Sequence, residues 1–273
     1  MDKTPISPHL QSAILEVTIE DIAEELLEAY ETKVPVVPVR HRAPEMTITD
    51  AYRIQNSQLK HHLESGRALA GWKIGLTSKA MQKQLGVSSP DFGFFLKDMI
   101  YYHGDRINAS HFISPKVEPE FAFLLKAPLQ GPGVTLEEAA QAIDEIYPAM
   151  EIIDSRIANW DIKLVDTIAD NASCGAIAIG QTPLDLSVSD LENTTCKLLI
   201  DGHVVEEGTG KAVMGNPIAP LAWLANVLGE QGVGLKTGQL LLPGSFTKAM
   251  PVVYNSSATA DFGDLGSLTI HFT

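Results

Sequence analysis

Three glutamates stand in apolar company where a carboxylate has no structural reason to be. Glu118 and Glu120 fall in Lys116-Val-Glu-Pro-Glu-Phe-Ala-Phe-Leu-Leu125, and Glu151 in Tyr147-Pro-Ala-Met-Glu-Ile-Ile153. Side chains alternate faces along a strand, so Glu118 and Glu120 share one face, roughly 6–7 Å apart. Two like charges buried side by side are costly unless a cation offsets them. A divalent ion with oxygen ligands does this, and three carboxylates leave about three octahedral positions for water and substrate. Such a donor set suits Mg2+ or Mn2+, whereas zinc calls for His or Cys. The competing reading is an edge strand with both carboxylates in water. The apolar face continuing through Ala122 and Leu124 argues against it.

Two further groups can give and take protons. Lys73 lies in the apolar run Gly71-Trp-Lys-Ile-Gly-Leu76. A snorkelling or salt-bridged lysine at a strand end is the ordinary alternative; the functional one places it beside the metal, pairing with a substrate carboxylate or moving protons. Asp91 sits in Ser89-Pro-Asp-Phe-Gly-Phe94, a turn-like setting whose default explanation is an Asx turn. Gly244-Ser-Phe-Thr247 can present backbone amides and hydroxyls to an anion, or form a plain β-turn. The run from Asp166 to Gly175 reads as a loop rich in capping residues, and Cys174 within it lacks a base partner for nucleophilic work.

The elements that must position these groups follow from periodicity and punctuation. An acidic amphipathic helix is expected over 18–30, with Thr18 as N-cap and Ile22, Leu26 and Leu27 on its apolar stripe. Three prolines make 34–44 an extended arm without helix. A second helix runs from Thr49 to about Glu64 and stops at Gly66. Beyond Gly71 short strands are expected at 71–76, 117–126, 149–154, 175–180, 196–200, 239–242 and 267–272. A capping box at Thr135-Leu-Glu-Glu138 opens a helix to about Ile146, and Pro217 opens another. Strands and helices do not alternate strictly, so the fold class is α+β with an antiparallel or mixed sheet. The domains expected are an N-terminal helical unit over 1–70 and a β-rich catalytic domain over 71–273.

Composition sets limits on function. The 273 residues carry a formal net charge of −14, which speaks against nucleic acid and anionic membranes as partners. No apolar stretch reaches the roughly 18–20 residues of a membrane span, and no export signal is visible, so a cytoplasmic location is expected. The two cysteines, Cys174 and Cys196, lack metal-type spacing and are expected to be free thiols.

At these residues the chain resembles the fumarylacetoacetate hydrolase superfamily, and its hydratase/decarboxylase branch in particular. The resemblance runs over nearly the whole length. Its most specific stretches are Lys73 with Gly75-Leu-Thr-Ser-Lys-Ala80, Pro90-Asp-Phe-Gly93, Glu118-Pro-Glu120, Asp154-Ser-Arg-Ile-Ala-Asn-Trp160 and Asp166-Thr-Ile-Ala-Asp-Asn-Ala-Ser-Cys174. Within the branch the set is most similar to the 2-hydroxypenta-2,4-dienoate (2-oxopent-4-enoate) hydratases of aromatic meta-cleavage catabolism. The family's metal glutamates fall on Glu118, Glu120 and Glu151, its lysine on Lys73 and its aspartate on Asp91. The resemblance implies a mixed β-roll, a homo-oligomer and association with a pathway decarboxylase. The implied substrate is a small 2-oxo or 2-hydroxy acid, hydrated to 4-hydroxy-2-oxopentanoate with Mg2+ or Mn2+ stabilising charge on its 2-oxygen. Ser173, Ser245 and Thr247 are candidate substrate contacts. The alternatives are a 4-oxalocrotonate decarboxylase and a hydratase for the longer 2-oxohept-enedioate, to which Gly244-Ser-Phe-Thr247 is closer. A C–C hydrolase lacks its His–Glu pair here. A non-catalytic partner protein does not explain five intact site residues.

Overall fold

The computed structural model describes residues 8–78, 82 and 87–273, with side chains from Ile19 onward; Lys79 and Ala80 of the resemblance lie outside them. Helix α1 (Pro8–Thr32) starts well before the expected Thr18, which lies inside the helix. Proline suits a first helical turn, where its missing N–H is not needed. The arm that followed was expected to hold no helix, yet Val39–Arg42 makes one turn, α2, directly after Pro38. The Arg40 N–H is satisfied there by Asp166 Oδ1 at 2.9 Å. The rest of the arm is extended, and Val36 bridges to Ile157. Helix α3 (Ile48–Glu64) begins at a reciprocal capping box of Thr47 and Asp50. Ile22 and Leu26 of α1 pack on Ile54 of α3 and on Ile168.

Two mixed sheets follow. The larger has the order β2 (Asp91–Leu96), β1 (Leu69–Gly75), β10 (Leu240–Leu242), β5 (Lys116–Leu125), β6 (Ile143–Ile153), β7 (Cys174–Ile179) and β3 (Ile100–Tyr102), with β11 (Met250–Pro251) also on β5. The smaller runs β4 (Arg106–Ile107), β13 (Ser267–Phe272), β12 (Ser257–Asp261), β8 (Thr195–Ile200) and β9 (His203–Thr209). The β1–β10, β3–β7 and β4–β13 pairs are parallel and the rest antiparallel. This is the α+β architecture that the strand and helix pattern predicts.

Three expectations are corrected. The helix opened by Thr135 is α4 (Leu136–Ala142); it ends early because Ile143 begins a strand paired with β5 through ten residue positions up to Ile153. Pairing along a long neighbour outweighs the helical preference of a single turn. Asp91 is not in a turn but opens the fully buried strand β2. The polar loop at Asp166 is in part helix α5 (Leu164–Ala169). Helix α6 (Ile218–Glu230) forms after Pro217 as expected and buries Leu221, Leu224, Ala225 and Leu228.

Alternation along β5 and β6 separates core from site. Val117, Phe121 and Phe123, with Met150 and Ile152, enter the main core, where Phe121 stacks on Phe262 of the smaller sheet's side. The opposite face carries Glu118, Glu120 and Ala122 on β5, and Ala149 and Glu151 on β6. A second apolar cluster, Phe95, Ala122, Ala149, Ile177 and Leu242 among it, lines that face of the sheet. Among the described residues no helix is long and apolar enough to cross a membrane.

Candidate active site

Register alone brings the charged groups together. Glu118 and Glu151 are direct cross-strand partners, and Glu120 is one rung along on the same face. One carboxylate oxygen from each lies within 4.8 Å of the others. Glu120 and Glu151 are each 1% exposed. Glu118 is partly exposed and forms the open side. Across the sheet, β1 pairs Lys73 with Gly93 and Gly75 with Asp91, which aligns a lysine and an aspartate on neighbouring strands. Lys73 Nζ stands 3.1 Å from Glu151 Oε1. This is ion-pair distance, and Lys73 is the cation that offsets this otherwise unpartnered oxygen. Asp91 Oδ1 is likewise buried and unpartnered.

Among the described residues the site's charge does not balance: four carboxyl groups, Asp91, Glu118, Glu120 and Glu151, surround one ammonium, that of Lys73, with Lys116 at the edge over the Trp160 ring at 3.9 Å. Two ionised carboxylates 4.8 Å apart repel by about 3.5 kcal/mol at an effective dielectric of about 20. Burial, then the neighbouring Glu151, lifts the Glu118 carboxyl to about 7. Burial and the other two glutamates push Glu120 well above the usual carboxylate range. Glu151 and Asp91 are raised by burial and held back by Lys73. Burial alone would pull Lys73 down, but Glu151 and Asp91 outweigh it and keep the ammonium charged. Buried carboxyls with unpartnered oxygens, convergent on one point, are the surroundings a hard divalent cation satisfies.

All five residues singled out for metal and proton work therefore meet. Three others are placed differently. Ser173 is buried, and its hydroxyl shares a 3.2 Å hydrogen bond with Thr167. The Ser245 hydroxyl donates to Pro119 O at a long 3.4 Å, and that of Thr247 to Lys248 O at 3.0 Å. What the Gly244–Thr247 loop delivers to the cluster is a backbone group, since Gly244 N–H donates to Glu120 Oε2 at 2.9 Å.

Three participants complete the cluster, and of these sequence reasoning saw only the amide-bearing Gly244 loop. A Cβ on Gly75 would lie 2.2 Å from Asp91 Oδ1, so glycine is what lets the carboxyl lie against β1. A glycine inside a strand was the available signal. Gly244 (φ +120) was the second, and a Cβ there would meet Thr77 Oγ1 at 2.1 Å. The third is Cys174, whose thiol hydrogen-bonds Glu151 and is pushed up by burial and that carboxylate, so it stays protonated. A cavity of about 690 Å3 lies elsewhere, lined by Leu27 of α1, His62 of α3 and Tyr101 of β3 among others, and includes none of the carboxyl cluster.

Comparison with known proteins agrees with this geometry. The family model "Fumarylacetoacetate (FAA) hydrolase C-terminal" matches residues 53–272. The chain is 40% identical over 257 residues to 2-hydroxyhexa-2,4-dienoate hydratase of Comamonas testosteroni, covering 93% of this chain and 97% of that protein. It is 38% identical over 253 residues to 2-keto-4-pentenoate hydratase of Paraburkholderia xenovorans (strain LB400), covering 93% and 94%. Among solved structures, 4-oxalocrotonate decarboxylase from Pseudomonas putida G7, complexed with magnesium and adipate, superposes with a TM-score of 0.91 at 34% identity over 94% of this chain and 98% of that one. With its two mixed sheets, N-terminal helices and buried carboxyl cluster, this chain belongs to the fumarylacetoacetate hydrolase family, as a hydro-lyase of the 2-keto-4-pentenoate hydratase-like kind.

Proposed function

We propose that the protein hydrates 2-hydroxypenta-2,4-dienoate (2-oxopent-4-enoate) to 4-hydroxy-2-oxopentanoate, in aromatic meta-cleavage catabolism, with Mg2+ or Mn2+ held by Glu118, Glu120 and Glu151. The observation that carries this reading is the placement of two proton-transfer groups, Lys73 and Asp91, against a buried all-oxygen donor set. A bound divalent ion would supply Lewis acidity for the negative charge that collects on the substrate's 2-oxygen. Asp91, raised by burial and facing Lys73, is suited to hold a proton and deliver it to carbon. Lys73 stays charged, orients Glu151 and offers an ammonium to the substrate's anionic end. The protons to be moved are four: the enol O–H proton leaves as C5 is protonated, giving the conjugated 2-oxo-3-enoate, and the water that adds at C4 loses a proton as C3 gains one. Asp91 and Lys73 are the groups assigned to these transfers. Phe95, Ile177 and Leu242 form an apolar wall beside these groups, which keeps bulk water from competing. Ser245, whose present bond is long, is the hydroxyl freest to turn toward substrate; Ser173 and Thr247 would have to exchange shorter ones. The reading also includes a homo-oligomer, for which exposed Val34, Val37, Val253 and Tyr254 offer apolar surface.

The TM-score of 0.91 with a decarboxylase favours one alternative, in which the same charge development expels carbon dioxide from 2-oxo-3-hexenedioate. Ultraviolet-monitored turnover of the two freshly generated substrates separates them. Faster consumption of the monocarboxylate, yielding 4-hydroxy-2-oxopentanoate, supports hydration; preference for the dicarboxylate with release of carbon dioxide overturns it.

A further inference from the structure

Strand β2, which Asp91 opens, is an edge of the larger sheet, yet its outer backbone groups are occupied. Asn171 Nδ2 donates to Phe94 O and Asn171 Oδ1 accepts the Phe94 N–H, both at 2.8 Å. One side-chain amide thus replaces a neighbouring strand. Gln55 of α3 donates to Phe92 O at 2.9 Å and to Ile168 O, at the end of α5, at 3.1 Å. Both amide side chains are fully buried. Gly93 makes room, since a Cβ there would lie 2.4 Å from Asn171 O and 2.9 Å from its Oδ1.

The segment that supplies Asn171 is held in an unfavourable conformation. Asn171, Ala172 and Ser173 have φ of 51°, 49° and 55°, a left-handed turn with no glycine in it. It is fixed from behind by Asp170, whose carboxylate takes Arg156 Nε at 2.5 Å, Arg156 N–H at 3.0 Å and Ser155 Oγ at 3.1 Å. The residue after the turn is Cys174, in contact with Glu151. Four consecutive residues therefore bind the strand bearing Asp91 at one end and the strand pair bearing Glu151 at the other. β2 ends the sheet order and β7 stands next to its other end, β3, so this turn links strands that lie far apart along the sheet.

Resting on the function proposed above, we infer that Asn171, seconded by Gln55, is a positioning residue that sets Asp91 against Lys73 and Glu151. A strand edge left to water tolerates shifts along its length; a two-point amide clamp on Phe94 does not. The metal glutamates stand on β5 and β6, which the Asn171 amide itself does not touch, so removing the amide alone separates metal binding from proton transfer.

Asn171→Gly tests this, because glycine accepts the left-handed backbone and removes only the amide. In metal-loaded full-length protein, Mn2+ Kd and KM stay within about threefold while kcat falls at least about 30-fold, the scale of a sub-ångström misplacement. The limb of the pH–kcat profile that reports Asp91 moves with it. Asn171→Asp gives a second reading should the glycine variant fail to fold. Its carboxylate accepts the Phe94 N–H but donates to Phe94 O only when protonated, so its kcat, relative to wild type, recovers as pH falls. Unchanged kcat in either soluble variant, or parallel loss of Kd, KM and kcat, overturns the inference. A wild type without turnover defeats the parent reading instead.

Discussion

Replacing Glu120 by glutamine should stabilise the metal-free protein and remove most of the further stabilisation that metal confers. Glu120 is 1% exposed, and its one directed donor is the Gly244 N–H at 2.9 Å, which an amide oxygen accepts equally well. The substitution keeps shape and that bond, and removes a carboxyl that must be either ionised beside two like charges or protonated against solution pH. Relief of that conflict stabilises the metal-free protein by about 1–3 kcal/mol at pH 8, the cost of a buried unsatisfied polar or charged group. For a chain of about this size that is roughly 2–4 °C per kcal/mol in Tm. The increment that metal adds falls instead. At a Mn2+ concentration 100 times Kd the ion stabilises the wild type by about 2.7 kcal/mol, and a Kd weakened about 100-fold by loss of one oxyanion leaves about 0.4 kcal/mol. Scanning calorimetry of chelator-stripped protein, with and without Mn2+, reads both effects. A Glu120→Gln protein less stable than wild type without metal, with its Mn2+ stabilisation intact, would refute the assignment of this cluster.

Lys73→Met should lower kcat by about 10²–10⁴-fold, the range of a lost proton-transfer group. Its Mn2+ Kd should not weaken, because a positive charge has left the dication's surroundings; weaker binding by isothermal titration would mean that Lys73 chiefly holds the ligands. Gly75→Ala places a methyl 2.2 Å from Asp91 Oδ1 and should cost about 100-fold in turnover with metal affinity retained. Near-wild-type rates would show that the Asp91 position is immaterial. His62 accepts from Arg67 at 2.8 Å, and burial, then Arg67 and His61, lower it to about 4 from 6.5. A base with a depressed folded-state value contributes stability that is present above its unfolded value and lost as pH falls from about 6.5 toward 4. His62 is only half-buried, so solvent screening trims this to about 1–2 kcal/mol. Urea denaturation of His62→Asn at pH 5 and 8 should show a smaller acid loss than wild type, and an equal loss would remove His62 as its source.

The chemistry was more legible than the frame. Carboxylates and a lysine inside apolar runs announce themselves because burial of charge is costly, and period-two alternation was enough to put Glu118 and Glu120 on one face. Their meeting with Lys73 depended on register across strands distant in sequence, which no local pattern encodes. Asp91 shows the limit in the other direction. Ser-Pro-Asp before it has the composition of a turn, and only pairing with β1 and two buried amides makes Asp91–Leu96 a strand. Ile143–Ile146 was likewise lost to the preceding helix, since its strand character rests on β5 alongside. The hydroxyls were the least legible: a Ser or Thr in a glycine-rich loop suits substrate contact and backbone bonding alike, and here all three bond within the protein.

The central claim, that the buried glutamates and the Lys73–Asp91 pair act as one metal-dependent hydration site, is tested most directly by metal reconstitution. Chelator-stripped protein would be titrated with Mn2+ while bound ion and consumption of 2-hydroxypenta-2,4-dienoate are followed on the same sample. One ion per chain, with hydration rising in step with occupancy and neither appearing in Glu120→Gln, is the predicted result. Full hydration by protein shown to be metal-free, or stoichiometric binding that leaves the rate unchanged, would contradict it.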